Sequence, residues 1–185
     1  MLGLLVVVPH SAGASLEARI ARCLACHGER GQSVVPETPS LGGQPVFFIV
    51  AQLFLFREGR RSNAAMTEAA RDLSNDDLRV LAASIAALPP PDPPREPAEP
   101  LRAARGAALA RQHHCVVCHN TDFSGREQVP RLANQRQDYL LKAMREYKSG
   151  ARIGYGGTMV QELVPLTDPE LQDLAHFLAH LPRAG

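Results

Sequence analysis

No charge of either sign dominates this chain: 20 Lys+Arg face 19 Asp+Glu over 185 residues, and no run of five or six like charges occurs. The electrostatic footprint that nucleic-acid binding requires is missing, as is any charged tail. Tryptophan is absent, and cysteine appears only four times. Long apolar runs are lacking as well. The longest beyond the N-terminus, Val46 to Phe56, is interrupted by Gln52 and reaches about half the length of a bilayer span. No strand-like alternation of apolar and polar residues appears anywhere, so the expected class is all-α. The composition, 45% apolar and 21% charged, fits a globular protein of one or two small domains.

At the N-terminus, Leu2 to Val8 form an apolar run followed by Ala12-Gly13-Ala14, an A-x-A type cleavage sequence. Residues 1–14 therefore read as a secretory signal, which implies an exported protein. A second break in composition lies at residues 89–100, where seven of twelve residues are proline. Proline fixes φ and removes an amide donor, so this stretch reads as an extended linker, reaching up to about 37 Å at 3.1 Å per residue.

On either side of the linker the same pattern occurs twice. Cys23-Leu24-Ala25-Cys26-His27 returns as Cys115-Val116-Val117-Cys118-His119, and Pro39-Ser40-Leu41-Gly42-Gly43-Gln44 as Pro130-Arg131-Leu132-Ala133-Asn134-Gln135. Four residues after each Gln stands an aromatic, Phe48 or Tyr139. Gly59 matches Gly150, Met66 matches Met159, and Leu73-Ser74 matches Leu166-Thr167. The chain is a duplication, with one domain at 15–88 and another at 101–185.

Each copy is expected to hold three helices: Leu16 to Ala25 or Leu101 to Val117, then Val46 to Arg57 or Gln137 to Lys148, then a third after Ser74 or Thr167. Gly59 and Gly150 are the stops of the middle helices. Ser74 with Asp77, and Thr167 with Glu170, resemble capping boxes. Three helices in so short a domain, with long irregular connections such as Gly28 to Pro45, bury too little apolar surface; something else must fill the core.

The two Cys-x-x-Cys-His motifs supply that filling, because the combination reads as covalent c-type haem attachment. Two thiols three residues apart on a helix share a face and can bond the two vinyl groups at one porphyrin edge, while the next residue, histidine, turns under the ring to ligate iron. A zinc site would want its Cys pairs roughly 15 to 20 residues apart rather than on opposite sides of a linker. A thioredoxin-like dithiol expects a βαβ context, and plain disulfides need no histidine.

A second axial ligand in such sites is commonly methionine. Met1 is the start, and Met144 aligns with Leu53 inside the middle helix, where it reads as core. Met66 and Met159 remain, one per copy, in loops between the second and third helices, with Gly156-Gly157 beside the latter; the alternative for a loop methionine is gap filling. Pro39 and Pro130 stand where their carbonyls can accept the other ring N–H of His27 and His119, or are turn prolines. Phe48 and Tyr139 pack on the porphyrin or in the core. Arg57, Arg60, Arg61 and Arg152 pair with haem propionates or are solvated. His113, His114, His176 and His180 read as solvated helix faces, the alternative for the i, i+4 pair His176 and His180 being metal binding.

Taken together, the two motifs, the Pro-x-Leu-x-x-Gln segments, the methionines and the Leu-Ser/Thr helix starts resemble dihaem cytochromes of the cytochrome c4 type. The resemblance spans nearly the whole chain after residue 14. It implies two class I cytochrome c domains related by a pseudo-twofold axis, facing each other through their propionate edges. It also implies His27 and Met66 on one iron, His119 and Met159 on the other, and two covalent haem c groups. The expected activity is electron carriage in the bacterial periplasm, between a donor dehydrogenase or cytochrome complex and an acceptor oxidase or reductase. Membrane association would then be peripheral, through partners. Two alternatives accompany this reading: an electron-transfer subunit of a multi-component, for example flavoprotein, dehydrogenase; and a dihaem peroxidase, which would need one iron with an open or departing ligand.

Overall fold

In the computed structural model, residues 15–152 and 157–182 are described; the expected signal segment 1–14 and Gly156 lie outside them. The order of elements is α1 (Leu16–His27), α2 (Val46–Arg57), α3 (Ala64–Ala70), α4 (Asn75–Ala86), α5 (Pro100–Gln112), α6 (Cys115–His119), α7 (Gln137–Lys148), α8 (Gly157–Leu163) and α9 (Asp168–Ala179). Extended pairing among the described residues is confined to one isolated bridge, Arg126 with Val129, so the class is all-α.

Two expectations need correction. Met66 and Met159 stand on short helices, α3 and α8, rather than in loops. Seven residues give too little apolar periodicity for such a helix to be read from sequence. In α3 the fixing element is local: Asn63 caps the helix, its side chain accepting from the Met66 amide at 3.0 Å. The helix expected over Leu101 to Val117 is also broken. His113 ends α5, His114 takes left-handed φ 50° and ψ 30°, and the Cys-x-x-Cys-His segment forms its own turn, α6. In the first copy α1 runs unbroken through that motif to His27.

The middle and last helices follow the sequence signals. Gly59 and Gly150 follow α2 and α7 with φ of 63° and 75°. Asp77 accepts from the Ser74 amide and Ser74 from the Asp77 amide, while Glu170 accepts from both the amide and the hydroxyl of Thr167. Arg19 on α1 donates to Asp77 at 2.6 Å, which joins the first and last helices of the N-terminal copy. In the C-terminal copy the corresponding crossing, α5 on α9, is closer. A side-chain carbon on Gly106 would stand 2.3 Å from the Asp173 carbonyl oxygen, so only glycine lets the two backbones approach this far. Arg102 and Arg105 clasp the Asp173 carboxylate across the same crossing.

The irregular segments after the motifs are built alike. Gly28 and Asn120, each following a motif histidine, turn the chain with φ of 88° and 67°. The carbonyl of Gly31 then accepts from the amides of Leu41 and Gly42, as that of Phe123 accepts from Leu132 and Ala133. Asn134 stands at φ 59° where the first copy has Gly43 at 65°, the residue type after glycine that best tolerates this region.

The proline-rich segment is held to both halves. Just ahead of it the amide of Gly43 donates to Leu88 O, and within it the backbone of Asp92 exchanges two hydrogen bonds with the side chain of Gln32. At the far end the Glu99 amide donates to Nε2 of His176, whose Nδ1 faces Gln137 Oε1 at 3.0 Å. His176 is thus buried rather than solvated, because it must receive the linker. Burial, followed by the neighbouring His180 and Arg102, holds its pKa below 6.5. A depressed histidine contributes stability that is complete above the unfolded value, about 6.5, and is lost as pH falls through the folded one. The urea midpoint should therefore decline on acidification below pH 6.5, and less steeply in His176→Gln; identical slopes for both proteins would refute the assignment.

Candidate haem sites

The buried apolar residues are divided unequally. In the C-terminal copy thirteen form one cluster, including Leu109, Leu140, Leu171, Leu174 and Leu178, whereas in the N-terminal copy the cluster is Ile49, Ala82 and Ile85. Ala51, Leu55, Ala70 and Leu78 of that copy are buried too, and Ile49, Phe56, Leu81 and Ile85 line a cavity. This cavity is continuous through both copies and has a volume of ≈ 1170 Å³, above the roughly 300–1,000 Å³ of a site for one drug-sized ligand. All four cysteines, His27, His119, Met66 and Met159 line it, as do Pro39, Pro130, Phe48 and Tyr139.

The geometry repeats in each half. Nδ1 of His27 lies 2.8 Å from Pro39 O, and Nδ1 of His119 lies 2.9 Å from Pro130 O. A carbonyl accepts only, so Nδ1 carries the proton and Nε2 keeps its lone pair for a metal. Burial lowers both histidine pKa values, which favours the neutral, ligating form. Cys26 and Cys118 are exposed, Cys23 and Cys115 half-buried, and none of the four is paired in a disulfide. Burial raises the Cys23 thiol and pushes Cys115 up to about 11, opposite to what a reactive dithiol needs. Nor do three His, Cys, Asp or Glu side chains converge as a metal site among the described residues. The donor set in each half, two unpaired thiols with an oriented imidazole and a thioether, fits covalent haem.

Several expected residues change role. Arg152 is buried at 6% exposure, and Arg61 is half-buried; both line the cavity, so these two are not solvated. Arg57 donates to Leu73 O and Glu58, and Arg60 is exposed. His113 is partly buried, 3.9 Å from Glu162, and His180 is half-buried with Nδ1 at His176 O; His114 is exposed. Met144 is core, as its alignment suggested. Along Val46 to Phe56, Ile49, Ala51, Leu55 and Phe56 are buried, but Phe47 is 65% exposed.

The contacts between the halves were not foreseen. Gln135 receives the Ser40 amide at 2.8 Å and donates to Ser40 O at 2.8 Å; Gln44 receives the Arg131 amide at 3.0 Å and donates to Arg131 O at 2.9 Å. Gln44 and Gln135 occupy equivalent positions, as do Ser40 and Arg131, so each copy clamps the same backbone segment of the other. That reciprocity is the pseudo-twofold relation expressed in hydrogen bonds. Around it, Arg136 donates to Ser33 O, and Glu37 meets both Asp138 and Lys142. The only signal in sequence was that a glutamine stood at the same place in both copies.

The family model described as Cytochrome c matches residues 103–182. The crystal structure of reduced recombinant cytochrome c4 from Pseudomonas stutzeri is similar at TM-score 0.80 and 26% identity, covering 91% of this chain and 100% of that one. Fold and cavity define a dihaem c-type cytochrome, two cytochrome c domains that each hold a covalent haem with a His/Met ligand pair. Cytochrome c4 of Thiocapsa roseopersicina is 32% identical over 170 residues, 86% of this chain and 86% of that protein. The chain belongs to the cytochrome c4 family and is an electron carrier, not a catalyst. The thiosulfate dehydrogenase electron acceptor of Thiomonas intermedia is also similar, 30% identical over 191 residues, 98% of this chain and 88% of that protein. The peroxidase alternative thereby falls away. None of the described helices is long and apolar enough to cross a membrane.

Proposed function

We propose that Cys23 and Cys26 hold one haem and Cys115 and Cys118 the other, with His27 and Met66 ligating the first iron and His119 and Met159 the second. The domains run from 15 to 88 and from 101 to 185, joined through 89–100. The observation that carries the assignment is the repeated pairing of each motif histidine with a proline carbonyl beside a cavity that a methionine also lines. Bound haem supplies a one-electron couple at iron. With His27 and Met66 holding one iron and His119 and Met159 the other, no place would be left for substrate at the metal, and the group would support electron transfer without bond making. The chain's own part is to hold imidazole and thioether in place, bury the ring among Phe48, Phe56, Leu81, Leu140 and Leu174, and so limit reorganisation.

In the cell, the protein acts in the periplasm and takes electrons from a dehydrogenase that oxidises an inorganic sulfur compound. The similarity to a thiosulfate dehydrogenase electron acceptor over nearly the full chain supports this donor, and the leader-like residues 1–14 support export. The same similarity favours a second reading, a stoichiometric subunit of such a dehydrogenase. Mixing oxidised protein with a thiosulfate dehydrogenase and thiosulfate should reduce both haems within the enzyme's turnover time. If the haems stay oxidised while a general acceptor dye is reduced, the donor is wrong. Copurification at one-to-one stoichiometry would distinguish subunit from shuttle.

A further inference from the structure

A trans peptide unit carries its carbonyl and its amide hydrogen on opposite edges of one plane, and no cis bond occurs among the described residues. The carbonyl of Pro39 and the amide of Ser40 belong to one such unit. On one edge Nδ1 of His27 donates to the carbonyl at 2.8 Å; on the other the amide donates to Oε1 of Gln135 at 2.8 Å. The second half repeats the arrangement with the domains exchanged. Nδ1 of His119 donates to Pro130 O at 2.9 Å, and on the far edge of the same peptide the Arg131 amide donates to Oε1 of Gln44 at 3.0 Å. Each motif imidazole is therefore joined, through a single peptide plane, to a glutamine of the opposite domain.

The orientation of both glutamines is fixed by chemistry. A backbone amide only donates, so the glutamine atom facing it is the oxygen, and the NH2 group must meet a carbonyl. Nε2 of Gln135 does so at Ser40 O, and Nε2 of Gln44 at Arg131 O. Oε1 of Gln135 also accepts the Arg136 amide at 3.0 Å. Gln44 and Gln135 are 5% and 3% exposed, and His27 and His119 6% and 4%, so little water competes for these bonds. Hydrogen bonds in series polarise one another in such surroundings, by about 10–30% per bond. An acceptor on the amide makes the oxygen of the same peptide more negative and a stronger partner for the imidazole N–H. A stronger bond at Nδ1 raises the basicity of Nε2, and a more basic ligand favours ferric iron.

We propose that Gln44 and Gln135 are positioning residues for electron transfer, each tuning the axial imidazole, and so the haem potential, of the domain to which it does not belong. The relay rests on the assignment of His27 and His119 as iron ligands, and on nothing about the electron donor. A clamp that merely held the halves together could grasp any stretch of backbone. Both glutamines instead grasp the one peptide whose carbonyl receives the histidine. Gln32 is the plain clamp for comparison: it exchanges two hydrogen bonds of 3.2 Å with the backbone of Asp92, on a peptide that receives neither histidine.

The test is a spectroelectrochemical titration of the exported dihaem holoprotein, wild type against Gln135→Met and Gln44→Met, which keep the side-chain length and remove the acceptor. Gln135→Met should favour reduction of the N-terminal haem by about threefold, ~28 mV at 59 mV per tenfold for one electron, and move the C-terminal haem by less than half as much. Gln44→Met should do the converse, and Gln32→Met should move neither. In the reduced, diamagnetic protein the Nδ1 proton of His27 should resonate at lower frequency in Gln135→Met alone, and that of His119 in Gln44→Met alone. Gln135→Glu is the rescue: ionised or protonated, it still offers the Ser40 amide an oxygen, so the N-terminal potential should return to the wild-type value or fall below it. A larger shift in the substituted domain's own haem, or equal shifts in both, would mean action through domain packing and overturn the relay. Unmoved potentials in variants that keep both haems and both near-infrared bands would overturn it too, with the ligand assignment intact. Should the methionine variants not fold, Gln135→Glu and Gln44→Glu decide. An opposite-domain potential at or below wild type, with the Nδ1 proton at or above its wild-type frequency, supports the relay; a rise in that potential or a fall in that frequency refutes it. A near-infrared band missing from the wild type itself would overturn the ligand assignment and the relay with it.

Discussion

Replacing Cys23 and Cys26 together by alanine is expected to yield an exported protein lighter by one haem, whose N-terminal half no longer folds while its C-terminal half survives. The reason is the distribution of apolar contacts. Among the described residues the buried cluster of the N-terminal domain is Ile49, Ala82 and Ile85, with Leu41, Val50, Leu53 and Ala86 packed against it, and Ile49, Ile85, Phe56 and Leu81 face the cavity. A fully buried Leu or Phe contributes about 1.5–3 kcal/mol, and without a ring to pack against, several such contributions vanish from a domain whose total stability is about 5–15 kcal/mol. The converse pair, Cys115→Ala with Cys118→Ala, is expected to do less damage to its own domain, because thirteen buried residues of α5, α7, α9 and their connections pack on one another. Mass spectrometry of the intact protein and hydrogen exchange by segment are the measurements. Full protection of residues 46–86 in the first variant would mean that the porphyrin is not the missing core.

Substituting Met66 or Met159 by histidine is the second large effect. Thioether sulfur raises a haem potential relative to imidazole, and axial ligands as a class span about 0.8 V. Each single variant should therefore keep both haems attached, lower one potential by roughly 0.1–0.2 V as a fraction of that span, and lose the near-infrared sulfur-to-iron band for one haem only. The short helices matter here. Asn63 pins the start of α3 through the Met66 amide, so the substituted side chain departs from a fixed backbone position. An unchanged titration curve would remove that methionine from the coordination sphere.

The division of roles between pattern and packing is visible residue by residue. Helices α2, α4, α7 and α9 were legible because their starts and stops are local chemistry: the Ser74 and Thr167 caps, the left-handed glycines at 59 and 150, and apolar side chains at helical spacing. The break at His114 was not, because nothing in Gln112-His113-His114 disfavours a helix; the left-handed residue there belongs to the tertiary arrangement. His176 looked like one of a solvated pair until the linker amide of Glu99 was found on its ring. Arg61 and Arg152 could be named as candidates among eighteen arginines, but solvation remained the default until the fold half-buried the first and buried the second.

By itself the sequence determined the covalent chemistry and the duplication, because thiol spacing along a helix and the recurrence of Cys-x-x-Cys-His, Pro-x-Leu-x-x-Gln and Met are properties of neighbours along the chain. Only the tertiary structure decided how the halves meet. Gln44 and Gln135 acquire partners 87 and 95 residues away, and Arg61 and Arg152 both donate to Gln52 Oε1 and the Tyr139 hydroxyl across the boundary. Hydrogen-bond partners and charge balance at that boundary depend on distance in space, which side-chain periodicity does not encode.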